Sequence, residues 1–128
     1  MRQPAASGVL IYASQLDRMS VFYQRVLGLR ELHADAVHRV LASADTQLLL
    51  HALPPGVAAQ MQIASPPEPR ETQAIKPFFT VPSLDAAERE VEACGGRVHG
   101  PVWPGPGLRV RNVCDPEGNL LHLRERVR

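Results

Sequence analysis

Six side chains in this sequence could do chemistry together: Lys76, His122, His51, Arg109, Arg111 and Arg124. Imidazole titrates near neutrality, so it can act as a general base or a metal ligand. Ammonium and guanidinium groups hold carboxylates and phosphates, and they steady an anion that develops during a reaction. No carboxylate alternates with these cations along the strands that carry them. The set therefore suits capture of a small anion, or proton abstraction by His122 with Lys76 or an arginine stabilising an enolate-like product.

Whether they meet depends on strand alternation. A sheet covered on one face by helices turns its apolar positions toward them. In the last strand Leu121 and Leu123 take the helix side, leaving Leu120, His122 and Arg124 on the concave side. Val9, Ile11 and Ala13 turn Gly8, Leu10 and Tyr12 inward, and Phe79 and Val81 turn Lys76, Phe78 and Thr80 inward. Leu48 and Leu50 leave Gln47, Leu49 and His51. Reading Leu108 and Val110 as helix-facing places Arg109 and Arg111 in the trough. Trp103, the only tryptophan, sits in a Pro/Gly-rich stretch at 101–107 and is read either as a pocket lid or as packing on its own strands. Each residue also fits a plainer role: His51 exposed at a strand end, the arginines solvated at strand edges, Lys76 snorkelling to water, Tyr12 in the core.

The supporting elements are written twice. Leu16-Asp17 and Leu84-Asp85 open two amphipathic stretches 84 − 16 = 68 residues apart, and the same offset carries Gly8 onto Lys76 and Gly28 onto Gly96. The apolar face of Leu16, Met19, Phe22, Tyr23, Val26 and Leu27 predicts a helix ending at Gly28. Leu84, Ala87, Val91 and Cys94 predict another, ending at Gly95-Gly96. Strand patterns at 8–13, 30–34, 37–42 and 46–52 and at 76–81, 97–99, 108–113 and 119–124 complete two βαβββ units. The expected fold is α+β, one domain over 1–128. Module one spans about 7–53, a Pro-rich linker with a short helix at 56–63 spans about 54–75, and module two spans about 76–126.

Leu16-Asp17 with Val21-Phe22-Tyr23 and Val26-Leu27-Gly28, together with Asp115-Pro116-Glu117-Gly118-Asn119, resemble the vicinal oxygen chelate superfamily. That superfamily includes glyoxalase I, bleomycin-resistance proteins, fosfomycin-resistance enzymes and extradiol dioxygenases. The resemblance covers Gly8 to about Glu125. It implies paired modules curved around a cavity, completed in many relatives by a second subunit, and activities that are often those of lyases, isomerases or dioxygenases. Metal-dependent relatives place ligands at positions that correspond here to Gly8, Leu49, Lys76 and His122. Glycine and leucine offer no donor atom, and an ammonium repels a cation. Only His122 could coordinate, whereas catalytic sites generally use about three protein ligands. No cofactor is expected at those positions.

Composition narrows the field. The net charge of +1 gives no basic excess for nucleic acid. No apolar run approaches a membrane span and no signal-peptide pattern opens the sequence, so a cytoplasmic protein with Cys94 and Cys114 as buried thiols is expected. Three readings follow. The first is a metal-free homodimer binding a small amphipathic anion through His122, Lys76, His51, Tyr12, Phe78, Arg111 and Trp103. The second is an enzyme, either with His122 and Lys76 as catalytic groups or with a divalent nickel, zinc, manganese or iron ion on atypical ligands such as His51 and His122. The third is a protein-interaction module that uses the Pro-rich linker.

Overall fold

The computed structural model describes residues 5–127. Its elements run β1 (Gly8–Ala13), α1 (Leu16–Leu27), β2 (Arg30–Ala34), β3 (His38–Ala42), β4 (Gln47–Ala52), α2 (Pro55–Ala58), β5 (Phe78–Thr80), α3 (Leu84–Ala93), β6 (Arg97–Gly105), β7 (Leu108–Cys114) and β8 (Leu120–Arg126). They form two four-stranded mixed sheets, ordered β1-β4-β3-β2 and β5-β8-β7-β6. In each, the first strand pairs parallel with the last strand of its module while the remaining pairs are antiparallel.

Helix α1 buries Met19, Phe22, Tyr23 and Val26 at the i, i+3, i+4, i+7 spacing of one helical face. Gly28 ends it at φ 68°, the left-handed conformation that glycine adopts without a Cβ penalty. Helix α3 starts at Ser83, whose Oγ accepts from the Ala86 N–H at 3.1 Å. The two helices pack on each other, and Phe22, Tyr23, Leu84 and Val91 join Leu41, Leu48, Leu50, Val113, Leu121 and Leu123 in one buried cluster. Each such large apolar side chain contributes about 1.5–3 kcal/mol by leaving water.

The Asp115-Pro116-Glu117-Gly118-Asn119 turn ties the modules together. Glu117 accepts the Ser14 N–H at 2.8 Å and the Gln15 N–H at 2.9 Å, which caps α1 from the other module because Gln15 makes no side-chain cap of its own. Asp115 is fully buried and accepts the Tyr23 hydroxyl at 2.6 Å.

Three expectations are corrected. The linker helix covers only Pro55–Ala58, not 56–63. Strand β5 covers 78–80, so Lys76 precedes it, because the Gln73 side chain takes both backbone groups of Leu120 (Leu120 N–H to Oε1 at 2.9 Å, Nε2–H to the Leu120 carbonyl at 3.0 Å) and occupies the next ladder position. Strand β6 runs through Pro101, Trp103 and Pro104 instead of stopping at His99. It lies at the sheet edge, where a proline with no N–H to donate costs nothing, and its register shifts between His99 and Trp103.

Candidate ligand-binding site

Each sheet has one face on the helices and one open face. In β8, Leu121 and Leu123 are fully buried while His122 and Arg124 are only half-buried. Cross-strand partners share a face, so the pairings Phe78–His122–Asn112 and Thr80–Arg124–Val110–Trp103 define two rows on the open face of module two. The matching rows of module one are Leu10–Leu49–Val40 and Tyr12–His51–His38. Leu49 therefore stands where His122 stands, each paired with the residue two beyond Gly8 or Lys76, Leu10 in module one and Phe78 in module two.

The module-two face is cationic and aromatic. The Arg124 guanidinium lies over the Phe78 ring, 3.8 Å from Cζ to the centroid. Its Nε is buried with no hydrogen-bond partner, and no carboxylate among the described residues comes within ion-pair reach of Arg124 or Lys76. Burial, then the charges of Arg124 and Lys76, hold the His122 imidazole below its ordinary pKa. Phe78 and Trp103 remain 60% and 54% exposed. The linker closes one end: Gln73 holds Leu120, and Glu71 pairs with His99 at 3.0 Å.

The module-one face carries a row of rings. His51 lies 5.6 Å from Tyr12 and 4.7 Å from His38, centroid to centroid. The His51 Nδ1 lies 2.7 Å from the Ala52 carbonyl, an atom that can only accept, so Nδ1 donates there and Nε2 is the ring nitrogen turned away from that bond. Asp35 faces His38 and His33, and the His33 contact, with backbone N–H groups behind it, holds its carboxyl well below the usual range. His38 escaped the sequence reading because only the β3–β4 register sets it beside His51. Gln73 gives no signal inside a Pro-rich stretch.

Two predicted trough residues lie elsewhere. Arg111 pairs across the ladder with buried Leu123, on the helix face, where it donates to Glu88 of α3 at 3.2 Å and to the Gly100 carbonyl at 3.1 Å. Arg109 likewise faces Glu125, 3.4 Å away. The concave positions fall to Leu108 and Val110 instead, because Val113 claims the helix face and fixes the parity of β7. Within one chain the remaining residues form two groups, Tyr12 with His51, and Lys76, Phe78, His122 and Arg124 with Trp103 on the edge strand of the same face. The modules meet around a cavity of about 520 Å³ at the β1–β5 seam, lined by Gly8, Lys76, Phe78 and Arg126 among others.

The relatives' metal ligands do not fit these four positions. Leu49 and Gly8 lack donors, Lys76 brings a positive charge, and a Cβ on Gly8 would press into the Gln47 carbonyl oxygen. Among the described residues no three His, Cys, Asp or Glu side chains cluster as a metal would require. The close approach gives a prediction: Gly8→Ala forces β1 off β4 and destabilises the protein by about 1–3 kcal/mol, read as a lower urea midpoint. An unchanged midpoint would show that the strands part freely.

A paired-module fold with an open, ligand-sized face marks this chain as one of the vicinal oxygen chelate proteins, and sequence comparison says which kind. The glyoxalase-like domain profile matches residues 8–124, so the chain belongs to that family. No curated protein matches. Among solved structures, a glyoxalase/bleomycin resistance protein/dioxygenase family enzyme from Burkholderia phytofirmans PsJN is 23% identical, with 97% of this chain and 100% of that one aligned and a TM-score of 0.67. The fosfomycin resistance protein FosX from Listeria monocytogenes is 15% identical (98% and 96% covered, TM-score 0.68). A bleomycin-binding protein complexed with bleomycin is 21% identical (98% and 100% covered, TM-score 0.62). At these identities the likeness establishes the fold. No described helix is long and apolar enough to cross a membrane.

Proposed function

We propose that this protein binds a small amphipathic organic anion, without a metal at the family's ligand positions, on the open face that carries Lys76, His122 and Arg124. The observation behind this reading is the pair of unpartnered cations, Lys76 and Arg124, flanking an imidazole held neutral. Arg25, Arg39, Arg109 and Arg111 each have a carboxylate; among the described residues these two, like Arg18, Arg30, Arg70, Arg89, Arg97 and Arg126, do not, and Arg124 alone also has a buried nitrogen with no partner. Cations kept without counter-charge beside exposed aromatic surface suit a ligand with one anionic end and an apolar body.

A second copy of the chain completes the site in this proposal. Leu10, Tyr12, Phe78 and Trp103 leave large apolar side chains exposed on the open faces, surface that a partner subunit would cover. A homodimer would set the Tyr12–His51 row of one subunit opposite the Lys76–His122 row of its partner. An enzymatic reading has one specific support, the orientation of the His51 ring by its Nδ1 bond to the Ala52 carbonyl.

The test is elemental analysis of the purified protein with thermal shift against divalent nickel, zinc, manganese and iron and a panel of carboxylates and phosphates. The expected outcome is no stoichiometric metal, stabilisation by organic anions, loss of that stabilisation in Lys76→Ala and His122→Ala, and a dimer on gel filtration. A bound metal, or stabilisation only by metals, overturns the metal-free reading; a monomer at all concentrations overturns the composite site.

The pH dependence has a defined sign. A bound anion offsets the repulsion from Arg124 and Lys76 and raises the His122 pKa, so binding takes up a proton. Affinity for an arenesulfonate, ionised throughout, rises about 3- to 10-fold as pH falls from 8 to 5.5 and levels off above the His122 pKa of the complex. Calorimetry in two buffers of different ionisation enthalpy checks the uptake; proton release on binding contradicts it. In the ligand-free protein the depressed pKa works against the fold, whose stability falls as pH drops through the unfolded imidazole value.

A further inference from the structure

We infer that the anion taken by this site is aromatic, an aryl carboxylate whose ring lies between the Phe78–Arg124 stack and Trp103; this rests on the anion-binding proposal above. Three observations carry it. Phe78 and Trp103 are large rings left more than half exposed on the same open face of the same sheet. Exposed aromatic surface that is rigid and flanked by cations is surface prepared for a flat partner. Neither ring sits at a disordered tip: Phe78 pairs with His122 in β5, and Trp103 pairs with Val110 in β6.

Spacing is the second. Arg124, Val110 and Trp103 are consecutive partners across β8, β7 and β6, so the guanidinium-bearing strand and the indole-bearing strand are two steps apart, about 9–10 Å. A ring midway lies within about 4.5–7 Å of both, the centroid separation aromatic pairs prefer. Val110, directly between them, is apolar and 9% exposed, so the ring rests mainly against the side chains that flank it.

The third is the state of Arg124. The guanidinium carbon lies 3.8 Å from the Phe78 ring centroid, and the buried Nε has no partner. A carboxylate gripped by the outer edge of a guanidinium lies in its plane. In an aryl carboxylate the ring is conjugated with that group and coplanar with it, so a carboxylate held on the Val110 side of Arg124 places a flat ring toward Trp103. A saturated ring, puckered and free to rotate about the carboxylate bond, gains neither the coplanarity nor the stacking.

The test is calorimetric titration of the protein with benzoate, 2-naphthoate, cyclohexanecarboxylate, acetate and benzyl alcohol. Benzoate is expected to bind about 10-fold more tightly than cyclohexanecarboxylate, with 2-naphthoate tighter still. In Trp103→Leu that advantage falls to within about 2-fold while cyclohexanecarboxylate affinity is retained, and Trp103→Phe restores most of it. Equal affinity for benzoate and cyclohexanecarboxylate overturns the aromatic inference and leaves the anion reading standing. Benzyl alcohol binding as tightly as benzoate, or no carboxylate binding at all, overturns the anion reading itself.

Discussion

Replacing Asp115 by alanine should cost this protein more stability than any change on its open faces. The carboxylate has no exposed surface, and it serves four donors at once: the Tyr23 hydroxyl at 2.6 Å, the Asn119 amide nitrogen at 2.8 Å, and the backbone N–H groups of Glu117 at 2.9 Å and Asn119 at 3.1 Å. Alanine leaves those donors in a site with little access to water, and each unsatisfied buried group costs about 1–3 kcal/mol. Partial relaxation of the turn limits the total to about 3–5 kcal/mol, a fall in Tm of 10 °C or more. The turn also presents Glu117 to the start of α1, so its collapse uncaps a helix in the other module. Tyr23→Phe removes one donor and should cost about 1–2 kcal/mol. Chemical denaturation of both variants checks the ranking. A D115A midpoint no lower than that of Y23F would show that the carboxylate is not the hub of the turn.

Arg124→Ala should cost the site about 10- to 100-fold in affinity for the anion panel, which corresponds to the 1.5–3 kcal/mol range of a hydrogen bond to a charged group. It should exceed the losses from Lys76→Ala and His122→Ala. Lys76 is exposed and precedes β5, so its flexible stem gives up more freedom on binding. His122 is uncharged in the ligand-free state at neutral pH. Arg124 already rests against the Phe78 ring, and a guanidinium offers two parallel donors. Arg124→Lys separates charge from geometry: it keeps the charge but loses the fork and the stack, so most of the deficit should remain. Calorimetric titration with the same carboxylate probes reads both variants. Full affinity in R124K would make the site a simple positive potential; full affinity in R124A would place the anion elsewhere.

Much of this arrangement is legible in the sequence because strand alternation is a local rule. Leu121 and Leu123 against His122 and Arg124, or Phe79 and Val81 against Phe78, announce their faces by chemistry alone, and the structure agrees. The 68-residue repeat and the two helical faces follow from the same local periodicities. The residues at the relatives' ligand positions are likewise a matter of identity: glycine and leucine cannot ligate in any fold.

What tertiary structure decided is whatever depends on a partner distant in sequence. The β7 segment Leu108–Cys114 carries apolar and polar residues in both parities, so its pattern is ambiguous; Glu88, 23 residues away on α3, and Leu123 across the ladder set Arg111 on the helix side. Prolines 101 and 104 read as loop until the sheet places that segment at its edge, where the missing donors have no ladder to break. Gln73 became part of the site's end wall by completing the hydrogen bonds of Leu120, 47 residues on. Local chemistry fixes which side of an element a residue occupies, but only the packed chain determines which charges find each other first, and therefore which are left free for a ligand.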